Sequence, residues 1–379
     1  MGNTGFAHPT LALARQRGQH TLAVKAYRSI IAQQPDLVYV RFDLAAMLYE
    51  NKEYEAAKDQ FTKVKADDID EHLRYIAERY LTQIQRKIGW NLQAGAQYVQ
   101  NSNVNNASSV KEFNIGPYVF IKNEEAMPKK AKGLSAFLAL DRDINIEGNH
   151  YATIAAQLKG TRYWDESEYN EHTLRLEGGY KNQDIKTSFS LSPFYEQSWL
   201  GDARYSHNIG LVSEYSRWLS SKTQVIGAYT YAHKRYHDQG LQRYEGNLHG
   251  LSSGIAYFVS STLVFNGGID HQIDHLNAED ESSRKTSVRL GVIKEFTGGL
   301  SARTAMRYGQ RRFDAPHFFL GQIRRDTEYQ ANVALWHRQL HFKGITPKLN
   351  YRYLKINSNL PAFYSRQSQQ WYVSLEKTF

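Results

Sequence analysis

After Lys87 the chain alternates apolar and polar residues with a period of two, and the polar series carries full charges in one segment after another. Leu174, Leu176, Gly178 and Tyr180 oppose Thr173, Arg175, Glu177 and Lys181, while Val288, Leu290, Val292 and Phe296 oppose Ser287, Arg289, Gly291 and Glu295. Leu300, Ala302, Met306 and Tyr308 oppose Ser301, Arg303, Arg307 and Arg311, and Tyr329, Ala331, Val333 and Leu335 oppose Glu328, Gln330, Asn332 and Arg338. Side chains two apart on a strand share a face, so each segment has one apolar and one ionic wall. A soluble sandwich would bury the apolar walls against each other; a membrane barrel turns them to lipid and lines a wet lumen with the charges. Slipping the register by one residue would put Arg303, Arg307 and Arg311 into hydrocarbon at roughly 2–4 kcal/mol each near the midplane, so the facing is strongly determined.

The connections favour the barrel. Short ones (Trp218 to Lys222, Phe258 to Thr262, Phe296 to Leu300, His341 to Thr346) alternate with long ones (Tyr195 to Tyr205, Lys234 to Tyr244, His275 to Lys285, Phe313 to Arg325, Asn357 to Gln369). Outer-membrane barrels combine tight periplasmic turns with long outside loops in this way. Counting back from Phe379 gives fourteen strands with centres from about 95 to 374, roughly 21 residues per strand and connection. A fifteenth candidate, Phe113 to Lys122, would put the two ends of the barrel on opposite sides of the membrane. It is therefore expected inside a long first outside loop, 102–131, that folds into the lumen. The last strand, with Trp371, Val373, Leu375 and Phe379 on its apolar side, closes the barrel and ends at the periplasmic rim. No run reaches the roughly 18 apolar residues of a spanning helix. A mean hydropathy of −0.60 with 26 Tyr, 26 Gly and 8 Pro fits strands whose alternate residues are polar and whose aromatics form interfacial girdles.

From Thr21 to Lys87 the character is helical. An offset of 34 residues aligns Ala23 with Ala57, Tyr27 with Phe61 and Ile30 with Val64, and places Gly18 opposite Lys52; this is the tetratricopeptide period. The small Ala admits a neighbouring helix and the aromatic four residues later fills the groove. The expectation is a helix over 21–33, a full repeat over 38–66 and a closing helix over 70–87 capped by Asp70. So small an array leans on the adjoining strands for its stability. By analogy with other repeats, Tyr39, Asp43 and Tyr49 lie on the concave face as candidates for peptide contact. The fold class is thus an all-β transmembrane barrel of fourteen antiparallel strands (88–379) preceded by a small all-α repeat domain (1–87).

Two stretches, WNLQAGAQYVQNSNVNNAS from Trp90 to Ser108 and LWHRQLHFKGITPKLN from Leu335 to Asn350, together with the closing EKTF, resemble the Slam family, the surface lipoprotein assembly modulators of Gram-negative bacteria. The resemblance spans essentially the whole chain, and its helical region looks shorter than in larger members. It implies periplasmic repeats joined to a fourteen-stranded outer-membrane barrel acting as a translocon of type XI secretion. The implied client is a surface lipoprotein or a soluble haemophore-like protein, often serving haem or metal acquisition. Outer-membrane lipid, lipopolysaccharide and the barrel assembly machinery are the other expected partners of a monomeric barrel, and no cofactor is expected. Arg175, Glu177, Arg289, Glu295, Arg303, Arg307, Arg311, Glu328 and Arg338 are the candidate lumen residues. Two rival readings keep the barrel: a solute or nutrient channel with a helical appendage, and an outer-membrane hydrolase.

Composition narrows the partners further. The net charge of +9 comes without a basic block interleaved with stacking aromatics, which argues against nucleic acid. The absence of Cys removes disulfides and thiolate metal sites. The first twenty residues contain no apolar signal core, so an export signal is expected to have been removed or to lie upstream. Gly250-Leu251-Ser252-Ser253-Gly254 matches the hydrolase nucleophile elbow GxSxG, but that motif needs a strand, a turn and a helix, and here the strand alternation runs straight through. Asp270 and Asp274 share one strand face and His271 and His275 the other, so a metal site would need a bend. His233 and His237 share a face with Arg235 between them, which opposes a cation. Trp336, His337 and His341 read as a belt beside a periplasmic turn.

Overall fold

The computed structural model describes residues 20–67, 69–342 and 345–378. Four helices come first: α1 (His20–Gln33), α2 (Val38–Glu50), α3 (Tyr54–Ala66) and α4 (Glu71–Ile88). Ala23, Ala57 and Phe61 are fully buried and Tyr27 nearly so, at the positions the 34-residue offset pairs. The Asp70 side chain accepts from Leu73 N at 2.8 Å and satisfies one of the orphan donors at the start of α4.

Sixteen strands come next. β1 (Asn91–Asn101) precedes a two-stranded hairpin of β2 (Glu112–Ile115) and β3 (Tyr118–Ile121). Then come β4 (Ala131–Glu147), β5 (His150–Tyr163), β6 (Glu171–Gln183), β7 (Thr187–Leu200), β8 (Ala203–Trp218), β9 (Thr223–Tyr236), β10 (Gly246–Ser260), β11 (Leu263–Leu276), β12 (Ser283–Glu295), β13 (Leu300–Pro316), β14 (Ile323–His337), β15 (Thr346–Ser358) and β16 (Arg366–Thr378). All but β2 and β3 form one closed barrel, in which β16 pairs antiparallel with β15 and with β1. Fourteen strands therefore span, and the fifteenth candidate is a hairpin in a loop, as parity requires. Trp371, Val373 and Leu375 are 45–52% exposed on the outer side of β16; Phe379 lies outside the described residues.

Compact packing groups the helices with two hairpin ends, Asp141–Ile154 and Tyr180–Phe189, and sets the rest of the strands apart as a second unit. Within the first unit the α2–α3 turn is hydrogen-bonded to the β4–β5 turn. Asn51 Nδ2 donates to Asn149 Oδ1 at 3.2 Å, Asn149 Nδ2 donates to Asn51 O at 2.5 Å, and the Tyr151 hydroxyl donates to Lys52 O.

Two expectations need correction. The connections read as long are shorter: 277–282, 317–322 and 359–365 separate strands that continue beyond their apolar stretches. Tyr195 to Tyr205 is a tight turn through Gly201 and Asp202, with φ of 55° and 65°. Apolar alternation stops where lipid stops, whereas backbone pairing continues through water. The segment 102–130 is also no lumen plug as a whole. Val104, Asn105 and Asn106 line a cavity of about 580 Å³ with Glu171 on β6 and with Gln330 and Arg352 on the distant pair β14 and β15, so they enter the barrel mouth. The hairpin instead leaves Tyr118, Val119, Phe120 and Ile121 exposed. Its base rests on the β15–β16 connection, through Phe113 against Phe363 at 5.0 Å and Ser108 Oγ donating to Pro361 O at 2.8 Å.

Candidate functional site

Alternation on the closed sheet sends every second residue inward, and the inner side chains of β6, β7 and β11 to β14 carry groups of paired charges. One group centres on Asp270 on β11, which accepts from Ser252 Oγ on β10 at 2.7 Å. Asp270 also makes ion pairs with Arg289 Nε on β12 at 2.9 Å and Arg307 Nη2 on β13 at 3.1 Å. Arg289 Nη2 donates to Ser252 Oγ at 2.8 Å, so four neighbouring strands are tied through one carboxylate and one hydroxyl. One step along, Asp274 accepts from Arg311 Nη1 at 2.8 Å, and Glu328 on β14 accepts from Lys285 Nζ at 2.9 Å and Arg311 Nε at 3.3 Å. On β6, Arg175 pairs with Glu177 and with Glu196 of β7 at 3.7 Å, its guanidinium lying 3.8 Å from the Phe194 ring centroid.

Between these groups the wall is low. Ala228, Thr230, Ala232, Gly250, Ser252 and Ser287 share with Arg175, Glu196, Asp270 and Arg307 the lining of a cavity of about 380 Å³. Small side chains make a shallow trough with charges of both signs along it. The carboxylates of Glu196, Asp270, Asp274 and Glu328 already have basic partners, so an unfolded polypeptide moving past meets fixed, paired charges, with Phe194 and Leu248 as apolar surface in the same lining.

Arg175 with Glu177, Arg289 with Arg307, and Arg311 with Glu328 are thus brought into three ion-pair groups. Arg303 is exposed and has no ion-pair partner among the described residues. Glu295 and Arg338 sit apart at the other end, where Arg338 Nη1 donates to Glu295 Oε2 at 2.6 Å; Arg338 lies one residue beyond β14, in the connection. The acids that organise the wall, Asp270, Asp274 and Glu196, do not stand out by sequence. Asp270 and Asp274 draw notice there as metal ligands, and the signal that separates the two roles is an arginine at inward parity two strands away, which requires the barrel register.

The GxSxG stretch is unbroken strand inside β10, and Ser252 is engaged by Asp270 and Arg289. His271 lies on the opposite face, its Nδ1 3.0 Å from Thr286 Oγ1. His233 Nδ1 is 2.9 Å from Asn247 Oδ1 and its Nε2 accepts from Arg235 Nε at 3.2 Å, while His237 Nε2 is 3.4 Å from Gln197 Nε2. Trp336 pairs in register with Lys348, whose Nζ is 5.9 Å from the indole centroid. His337 Nδ1 accepts from Gln339 N at 3.3 Å, and His341 Nδ1 is 3.1 Å from Arg338 O.

In the helices, Tyr39 is 63% exposed and stands one turn from the half-buried Asp43 on α2. Tyr49 is instead drawn into an aromatic cluster. Its ring lies 5.2 Å from Tyr80 and 5.7 Å from Tyr54, and its hydroxyl donates to Gln83 Oε1 at 2.9 Å. Burial, and then the neighbouring Tyr80, holds its phenol above the usual range.

Comparison with known proteins places this architecture. Residues 90–379 match the family model described as surface lipoprotein assembly modifier, and residues 9–61 match the model of that family's N-terminal TPR repeats. Surface lipoprotein assembly modifier 1 of Haemophilus influenzae is 32% identical over 96% of this chain and 76% of its own length. The surface lipoprotein assembly modifier of Pasteurella multocida is 31% identical over 97% and 75%. The hemophilin secretion modulator of Acinetobacter baumannii is 27% identical over 97% and 77%. A closed fourteen-stranded barrel with an ionic inner wall, helical repeats before it and these matches along nearly its whole length lead to one assignment: the chain belongs to the surface lipoprotein assembly modifier family of outer-membrane proteins.

Proposed function

We propose that the protein is an outer-membrane translocon that carries a client protein, a surface lipoprotein or a soluble haemophore-like protein, from the periplasm to the cell surface or the medium. Family membership supports this reading, and so do the names of two relatives, one a modifier of surface lipoprotein assembly and the other a modulator of hemophilin secretion. The observation that carries it is the inner wall, where paired charges flank a trough of small side chains in a closed barrel. Residues 1–87 serve as a periplasmic receiving domain, with Tyr39 and Asp43 available to the client, and residues 88–379 as the conduit. The protein acts on its client by passage and catalyses no bond change. Fourteen strands lie between the eight that side chains fill and the sixteen that hold open water channels, a width through which an unfolded chain threads. Client folding outside biases the movement outward.

The test is protease shaving of intact Gram-negative cells expressing a candidate client, encoded beside this protein, with and without the protein itself. Surface digestion of the client is expected only when both are present. A client that stays protected in both cases removes the delivery role for that client.

A further inference from the structure

The outward faces of β12, β13 and β14 change character in step. Reading away from the short turns, Leu290, Met306 and Ala331 pair in register, then Val288, Tyr308 and Tyr329, then Thr286, Gln310 and Thr327, and finally Arg284, Arg312 and Arg325. The first two rows are strongly exposed apolar surface, with Leu290 at 65%, Met306 at 64% and the two tyrosines at 43% and 42%. The last row is three arginines directly opposite one another on adjacent strands, all exposed.

Like charges placed opposite each other destabilise a sheet. Arg284 has a partial partner, Asp314 Oδ1 at 3.8 Å from its Nε. Among the described residues Arg312 and Arg325 have no ion-pair partner. Arg284 and Arg312 also line a cavity of about 680 Å³ with His275, Glu279, Ser282 and Asp314, so the row borders a recess.

Position identifies the anion. Four residues separate Tyr308 from Arg312, about 13 Å along the strand and about 10 Å along the membrane normal at the usual tilt. That is headgroup height above an aromatic girdle, continuous with the lipid-facing surface beneath. Arginine forks suit phosphate, which they bind in bidentate fashion. We propose that Arg284, Arg312 and Arg325 bind the phosphate groups of a phosphorylated glycolipid in the outer leaflet, which neutralises the row and fixes the depth of this side of the barrel. Lys355, opposite Tyr329 on β15, lies two rows lower, level with the tyrosines, from where its long side chain can extend toward the headgroup layer.

The test is titration of the purified full-length protein in neutral detergent with bisphosphorylated lipid A, dephosphorylated lipid A and inorganic phosphate. Folding of every variant is checked by heat-modifiable gel mobility. Wild type is expected to bind the bisphosphorylated lipid in preference to the dephosphorylated form, and R312Q/R325Q to bind it at least tenfold more weakly. If the double variant does not fold, R325Q alone is expected to weaken binding threefold or more. Unchanged affinity in the variants overturns the proposal. Equal binding of the dephosphorylated lipid reduces the contact to acyl chains, and full competition by inorganic phosphate at the lipid's concentration reduces it to a free-anion site; either result overturns it too.

Discussion

Asp270 shows how a single side chain can hold four strands. Two arginines pair with its carboxylate and one serine donates to it; a hydrogen bond to a charged group contributes about 1.5–3 kcal/mol, and partly exposed ion pairs about 0–1 kcal/mol each. A wet lumen keeps the total low, so Asp270→Asn is expected to cost about 1–2 kcal/mol, mainly by leaving Arg289 and Arg307 facing each other. The measurement is the guanidinium unfolding midpoint of the barrel; an unchanged midpoint would mean that the cluster is incidental. Legibility differs sharply between residues. The parity of Arg289, Arg307 and Arg311 can be read from a single strand, because period two needs no partner. Their acids cannot, because partner choice depends on the stagger between strands, which is a property of the closed sheet. Lys52 makes a similar point in the helices. The repeat offset places it at a glycine-like position, and it adopts φ 63° there, but nothing local announces that a lysine will take up a left-handed turn.

At the scale of elements, strand existence is legible in the alternation and strand ends are not. β7 and β8 run to Leu200 and from Ala203, with no long loop between, because backbone pairing outlasts the apolar side chains that reveal it. The helices are legible for a different reason: Ala23, Tyr27, Ala57 and Phe61 recur at one offset, and tight packing leaves little choice at those sites. What the offset does not reveal is the ring cluster joining α2, α3 and α4. There Phe61 stacks on Tyr80 at 4.6 Å, and Tyr49 bridges Tyr80 and Tyr54. Burial is the first cause raising both the Tyr49 and Tyr54 phenols, helped by their neighbours. The folded helices therefore favour the neutral phenols. That contribution is intact below about pH 10, the unfolded value, and is lost as the pH climbs through the raised folded values. Helical circular dichroism is expected to fall above that point. The double variant Tyr49→Phe/Tyr54→Phe should keep its helix signal to higher pH, and coincident alkaline transitions for the two proteins would contradict this account.

For the whole molecule, the central question is whether a client crosses through the lumen or escapes between strands. The seam joining the first and last strands is the natural place for an opening, since it is the one junction formed by chain ends. Yet β1 and β16 pair over nine consecutive positions, from Gln93 with Thr378 to Asn101 with Gln370, with no register shift. Nine residues correspond to about 30 Å of ladder, or about 23 Å along the membrane normal at the usual tilt, most of an apolar band of about 25 Å, and opening it would expose unpaired backbone groups to lipid. The chain has no cysteine, so a cross-link across the seam can be introduced without competing thiols. Ala96 and Leu375 are register partners, and directly opposed strand residues lie about 4.5–5.5 Å apart, within the span of a disulfide. Oxidised Ala96→Cys/Leu375→Cys protein is expected to deliver its client at the same rate as the reduced form, read by protease shaving before and after a membrane-permeant reductant. Export that stops on oxidation and returns on reduction would show that the seam opens, and would move the path from the ionic wall to the lipid.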